Sequence, residues 1–218
     1  GFVSSVLTFD KSACKRAVAG SGIHLAKEIL LNKSSEVNPD QIVATLGLPL
    51  FVKPNASGSS FGVTKVKTQA ELLPAIQEAF KESDQVLMEE FIEGREISCG
   101  VMIAGGKEYV FPITELVSQK EFFDYEAKYQ GLSHEITPAD LPDAVRKEVN
   151  RLTLIAYKRL NCRGVVRIDF IIKGDTPYMI EINTIPGMSS HSIIPQQAAA
   201  MGMSLTELFN LIIADTSK

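Results

Sequence analysis

The stretch "EINTIPGMSSHS", residues 181–192, carries a carboxylate at Glu181 and an amide at Asn183, then a Pro-Gly pair, three hydroxyls and a histidine. The "TPYMI" just before it is apolar and strand-like. Side chains in a strand repeat every second residue, so Glu181 and Asn183 share a face. Two oxygen donors side by side suit a hard cation such as Mg2+. A strand with a polar outer face followed by an ordinary Pro-Gly turn gives the same letters, so this segment needs a partner. "VRIDF", residues 166–170, supplies one, with Arg167 and Asp169 on a common face. If the two strands are neighbours, three oxygen ligands and one guanidinium meet on a single patch. Such a group is expensive to bury without a metal or an anionic ligand.

Working outward, "FDKSACKRAVAGSG" reads as a helix starting near Asp10 and stopping at Gly20 or Gly22. "PLFVK" and "GVTKVKT" read as two strands of a hairpin, joined by the Gly/Ser-rich "PNASGSSFG". "TQAELLPAIQEAFKES" predicts a helix capped by Thr68, with Leu72, Leu73, Ile76 and Phe80 on one face. "QVLMEEFIEG" is a strand running into a turn at Glu93-Gly94, and "EISCGVMIAGGKEYVFPI" a hairpin turning at Gly105-Gly106. "SQKEFFDYEAKYQGLSHEI" has no clear period and reads as a long functional loop. An amphipathic helix spans 142–160 through Val145, Val149, Leu152, Ile155, Ala156 and Leu160. Ser204 caps a last helix over "LTELFNLIIAD". Strands joined by tight turns point to a mixed α/β (α+β) fold with largely antiparallel sheets. A seam near Gly94 divides it into a lobe over 1–94, with the Gly/Ser hairpin, and a lobe over 95–218, with the polar strands.

The 218 residues are enough for a real core, and 45% hydrophobic against 22% charged residues fit a globular rather than a disordered chain. A net charge of -4 argues against non-specific nucleic-acid binding, yet local lysines can still gather one small anion. Cys14, Cys99 and Cys162 are odd in number and far apart, which reads as reduced thiols in a cytoplasmic setting. No apolar run reaches membrane-spanning length, so no membrane association is expected. The opening "GFVSSVLTFDK" lacks Met and reads as entering mid-stride in a longer chain.

Two further segments carry chemistry. Lys53 ends a strand before a flexible Gly/Ser loop, where an ammonium and backbone N–H groups can converge on phosphate oxygens, although no P-loop pattern is present. Lys11 adds a second cation. In "EEFIEGRE", acidic residues at the end of an apolar strand are unusual, and backbone groups there can pair with a base edge while Glu96 reaches ribose hydroxyls.

"FVKPNASGSSFGV", "EEFIEGREIS", "FDYEAKY", "RIDF" and "EINTIPGMSSHS" occur in the order and spacing of the ATP-grasp ligases. The last three resemble the D-alanine–D-alanine ligases. The resemblance covers nearly the whole chain and corresponds to that family's central and C-terminal domains, two lobes that sandwich the nucleotide. It implies Lys11 and Lys53 on the ATP phosphates, with Ser59, Ser60 and their loop (57–62) folded over them. It implies Glu89, Glu90 and Ile92 in the adenine hinge and Glu96 on the ribose. Lys128 would reach the γ-phosphate, and Tyr129 would close on Ser59. Asp169, Glu181 and Asn183 would hold two Mg2+ (or Mn2+) ions. Arg167 and the Gly187 backbone would stabilise an oxyanion, and Ser192 would hold the second D-alanine's carboxylate.

The implied activity joins two D-alanines through a D-alanyl phosphate to give D-alanyl-D-alanine for peptidoglycan. The implied enzyme is cytoplasmic and a homodimer at full length. Alternatives are a ligase making D-alanyl-D-lactate or D-alanyl-D-serine, or a non-catalytic nucleotide-binding module. The intact set of Lys53, Arg167, Asp169, Glu181 and Asn183 argues against the last. Two departures stand out. Phe123 replaces a tyrosine common in the family, and the family's N-terminal domain has no match here, so this chain is expected to bind ATP without making dipeptide.

Overall fold

The computed structural model describes residues 1–58, 61–118 and 133–216. Ser59, Ser60, Lys128 and Tyr129, and with them the expected lid contact, lie outside the described residues.

Two sheets organise the chain. The larger has the strand order β1-β11-β10-β6-β8-β9, with β7 also pairing β6; the smaller has the order β2-β5-β3-β4. Their strands are β1 (His24–Leu25), β2 (Glu28–Asn32), β3 (Leu50–Pro54), β4 (Thr64–Val66), β5 (Gln85–Glu90), β6 (Arg95–Ala104), β7 (Lys107–Val110), β8 (Thr114–Ser118), β9 (Ser133–Ile136), β10 (Val166–Lys173) and β11 (Thr176–Asn183). Every pairing is antiparallel except the two-residue β1, which runs parallel to β11. The expected hairpins form, β3 with β4 and β6 with β7, the latter turning through Gly105 and Gly106 at φ of 58° and 79°. Positive φ at both central residues is what such a two-residue turn demands.

Helices cover these sheets. Helix α5 (Asp143–Arg159) lays Val145, Val149, Leu152 and Ala156 on the inner faces of β6 and β10, against Ile97, Cys99, Ile168 and Phe170. Each fully buried Leu or Phe of this kind contributes about 1.5–3 kcal/mol. Helices α3 (Pro39–Leu46) and α4 (Leu72–Glu82) cover the smaller sheet through Ile42, Leu46, Leu72 and Ile76. Helices α6 (Ile193–Ala200) and α7 (Leu205–Thr216) close the far side of β6 through Ile194, Ala198 and Leu208. Ser204 starts α7 as expected: its hydroxyl accepts from Glu207 N–H at 3.2 Å, and Glu207 returns a carboxylate to Ser204 N–H at 2.7 Å.

Several expectations are corrected. Thr68 makes no capping hydrogen bond, because a short 3-10 turn (Gln69–Glu71) intervenes before α4. Leu73 is exposed, and Ala75 and Ala79 take the buried face with Leu72 and Ile76. The segment read as one long loop is strand at its ends, Ser118 closing β8 and residues 133–136 forming β9. The opening residues form a helix, α1 (Phe2–Phe9), followed by α2 (Lys11–Val18). Cys14 and Val18 of α2 join the core of the larger sheet, while Ser12 and Lys15 of the same helix meet Glu28 of β2 in the smaller one.

Candidate active site

The polar patch is built by register. On β10, Val166, Ile168, Phe170 and Ile172 face the core, leaving Arg167, Asp169 and Ile171 on the opposite face. β11 needs an irregularity to match. Asp169 pairs with Glu181, but Phe170 pairs with Met179, so Ile180 is an extra residue. This bulge reverses the alternation: Met179 stays in the core while Glu181 and Asn183 turn to the other face with Asp169. β6 completes the rows. Ser98, Asp169 and Glu181 lie side by side, and so do Gly100, Arg167 and Asn183. The patch expected from two separate motifs is therefore one continuous surface.

Its electrostatics are paired. The Arg167 guanidinium grips Asp169 through Nε–Oδ1 at 2.9 Å and Nη2–Oδ2 at 2.8 Å. Ser98 Oγ donates to Asp169 Oδ1 at 2.5 Å. Asp169 is the main reason the Arg167 proton is held above its usual affinity, opposed by burial and helped by Glu181 and Glu96. Among the described residues no three His, Cys, Asp or Glu side chains form a metal-holding group. The candidate set is two carboxylates and an amide, all hard oxygen donors, which matches a Mg2+ or Mn2+ preference with water and phosphate completing the shell. Those donors stand in register on paired strands, so the residues present fit such an ion.

A cleft of about 730 Å³ lies between the sheets. Lys11, Lys53, Glu90, Ile92, Glu96, Glu181 and Asn183 all line it. Arg167, Asp169, Gly187 and Ser192 are not part of its lining. Gly187 and Ser192 are brought together, since a Cβ on Gly187 would lie 2.8 Å from Ser192 Oγ, and Ser192 shares a hydroxyl contact of 2.9 Å with Ser189. His191 is exposed, and its Nδ1 lies 3.2 Å from the Ser190 hydroxyl.

The two cleft lysines differ. Lys11 donates to the Ser57 carbonyl at 2.6 Å; burial first, then Lys53, makes its proton easier to lose, against the pull of Glu181 and Glu89. Lys53 is ion-paired to Glu89. Glu89 lines the cleft as well, and its buried carboxylate is taken up by Lys53 and by Lys15 (2.7 Å). Burial works to raise the Glu89 pKa, but Lys53 and Lys15 outweigh it and hold the value at about 2.

Sequence reasoning missed Lys15, Phe51, Lys65 and Phe91. Lys65 Nζ sits 4.0 Å from the centre of the Phe91 ring, and Phe91 tilts against Phe51 at 5.9 Å on the cleft wall. The alternation of "TKV" carried that signal, since Val66 is buried and Lys65 must face away from it. The three thiols are buried, which pushes the pKa of Cys14 and of Cys99 up to about 12 and of Cys162 to about 11, so none is a nucleophile.

Comparison with known proteins fits this geometry. The family model described as "D-ala D-ala ligase C-terminus" matches residues 18–214. A D-alanine–D-alanine ligase of Phocaeicola vulgatus is 49% identical over 96% of this chain and 65% of its own length. That of Flavobacterium johnsoniae is 48% identical over 95% and 64%. The chain thus spans about two thirds of the length of these curated relatives. Among solved structures, the D-alanine–D-alanine ligase of Bacillus anthracis complexed with ATP superposes with a TM-score of 0.86 at 31% identity, covering 100% of this chain and 68% of that one. The VanG D-Ala:D-Ser ligase of Enterococcus faecalis does so with 0.86 at 33% identity, covering 97% and 62%.

Proposed function

The chain belongs to the D-alanine–D-alanine ligase C-terminal family, and from that premise we propose that it forms the ATP-binding and metal-binding part of a ligase that joins two D-alanines. The observation that carries this reading is the register of Asp169 with Glu181 and of Arg167 with Asn183 beside a cleft that also holds Lys11 and Lys53. The ATP named in the Bacillus anthracis structure supports nucleotide in the corresponding cleft.

In this reading the adenine enters the apolar part of the cleft near Ile92, with Glu89 and Glu90 in the hinge and Glu96 on the ribose. The triphosphate runs toward Lys11 and Lys53. Asp169, Glu181 and Asn183 hold Mg2+ or Mn2+, which neutralises phosphate charge when bound. A carboxylate is a poor electrophile for an amine. Its oxygen therefore first takes the γ-phosphoryl group, with ADP as leaving group, and the amine of the second D-alanine then attacks the acyl carbon and expels phosphate. Arg167 and the Gly187 N–H stabilise the oxyanion formed in that attack, and Ser192 binds the second carboxylate. Ser59, Ser60, Lys128 and Tyr129 supply the lid that keeps water from the acyl phosphate. The lobe seam falls at Gly94, between β5 and β6. The protein works in the cytoplasm, where ATP and reduced thiols coexist, and is a homodimer at the relatives' length.

A D-alanyl-D-serine product is the second reading, favoured by the equal TM-score of the D-Ala:D-Ser ligase. Phosphate release from ATP and Mg2+, measured at the relatives' full length, separates the two when D-alanine alone is compared with D-alanine plus D-serine or D-lactate. Stimulation by D-alanine alone is expected; its absence defeats the proposal.

A further inference from the structure

Lys15 is almost fully buried, at 4% exposure, and does not line the cleft. Its ammonium donates to the Ala26 carbonyl at 2.9 Å and meets Glu28 Oε2 at 2.8 Å and Glu89 Oε1 at 2.7 Å. Glu28 and Glu89 are cross-strand partners on β2 and β5. Like charges directly opposite one another in an antiparallel pair repel, and Lys15 lies between them. Glu89 then offers its other oxygen to Lys53, which lines the cleft. The four groups balance, two ammoniums against two carboxylates, and no ligand is needed to neutralise them. Lys15 also spans the lobes, since α2 packs in the core of the larger sheet while both of its carboxylate partners belong to the smaller one.

From this we infer that Lys15 is a positioning residue for nucleotide binding, acting through Glu89 to hold the Lys53 ammonium at the cleft wall in a network that carries no net negative charge against an incoming phosphate. The inference rests on the reading that Lys53 meets the ATP phosphates. Without Lys15 the network carries one net negative charge. Lys53 is then the sole counter-ion of two buried carboxylates and is drawn away from the cleft, while an incoming triphosphate meets their field.

Calorimetric titration of this chain with ATP and with adenosine, which lacks phosphate, tests the inference. Lys15→Met is expected to weaken ATP binding by about tenfold or more and adenosine binding by less than about twofold. In a Lys53→Met background the same change is expected to cost less than about threefold, because its route of action is gone. Lys15→Arg, which keeps the charge, is expected to stay within about threefold of the parent. Equal losses in both backgrounds, a parallel loss of adenosine affinity, or no loss of ATP affinity overturns the inference. If Lys15→Met fails to fold, Lys15→Met/Glu28→Gln is compared with Glu28→Gln alone; Lys53 then answers a single carboxylate, so a loss of about threefold supports the inference and equal affinities overturn it. A parent chain that binds no ATP, or a Lys53→Met variant that binds ATP as the parent does, defeats the reading of Lys53 instead.

Discussion

Glu181 stands directly across from Asp169, half-buried at the cleft. Glu181→Gln removes one charged oxygen donor without opening a cavity. It is expected to cost about a hundredfold or more in turnover of the full-length protein while the melting temperature changes little. A large loss of stability would show that Glu181 serves the fold instead. Glu89 behaves in the opposite way. Its folded pKa of about 2 lies below the ordinary 4.5, so the stability it contributes is fully present above about pH 4.5 and is lost as pH falls toward 2. Urea unfolding should therefore show a loss of about 2 kcal/mol between about pH 6 and about pH 3 that Glu89→Gln does not show. The polar quartet was legible in the sequence because alternation alone places Arg167 with Asp169 and Glu181 with Asn183. Lys15 was not, since a lysine in an amphipathic helix reads as exposed until two distant glutamates are known to converge on it.

At the scale of elements, two glycines decide how close the layers come. A Cβ on Gly100 of β6 would lie 2.5 Å from the Phe111 ring and 2.6 Å from both Gln197 Oε1 and Ile194 Cδ1. Helix α6 docks into that space, with Gln197 accepting from Gly100 N–H at 3.0 Å and donating to the Ser98 carbonyl at 2.9 Å. Gly100→Ala is expected to destabilise by about 1–3 kcal/mol, read as a lower denaturant midpoint at unchanged slope. Gly94 is stricter: its Cβ would sit 2.2 Å from the Ile172 carbonyl oxygen, backbone that cannot rotate away. The long strands and α5 were legible from period and turn residues. The two-residue β1 was not, because it is held by parallel pairing to a strand some 150 residues later, and no local pattern encodes that. The bulge at Ile180 was equally hidden, because a shift of register leaves the letters "MIEIN" unchanged.

For the whole molecule, the cleft joins surfaces from both sheets, with Lys53 and Glu90 from the smaller and Glu181 and Asn183 from the larger. A ligand that touches both walls binds only the folded arrangement, so it must stabilise the fold by mass action. ATP with Mg2+ at about a hundred times its dissociation constant is expected to add about 2.7 kcal/mol to the unfolding free energy of this chain. For a domain of this size that corresponds to a rise of about 5–10 °C in melting temperature. The size of the shift should depend on both walls. Lys53→Met removes a contact on the smaller sheet and Asn183→Leu one on the larger, and each should reduce the shift at fixed ATP while adenosine gives a smaller, unaltered one. If both variants keep the full ATP shift, the nucleotide sits elsewhere and the cleft is not its site. If only Lys53→Met reduces it, the phosphates engage one lobe alone, and the strands of the candidate metal site come into play only when the substrate arrives.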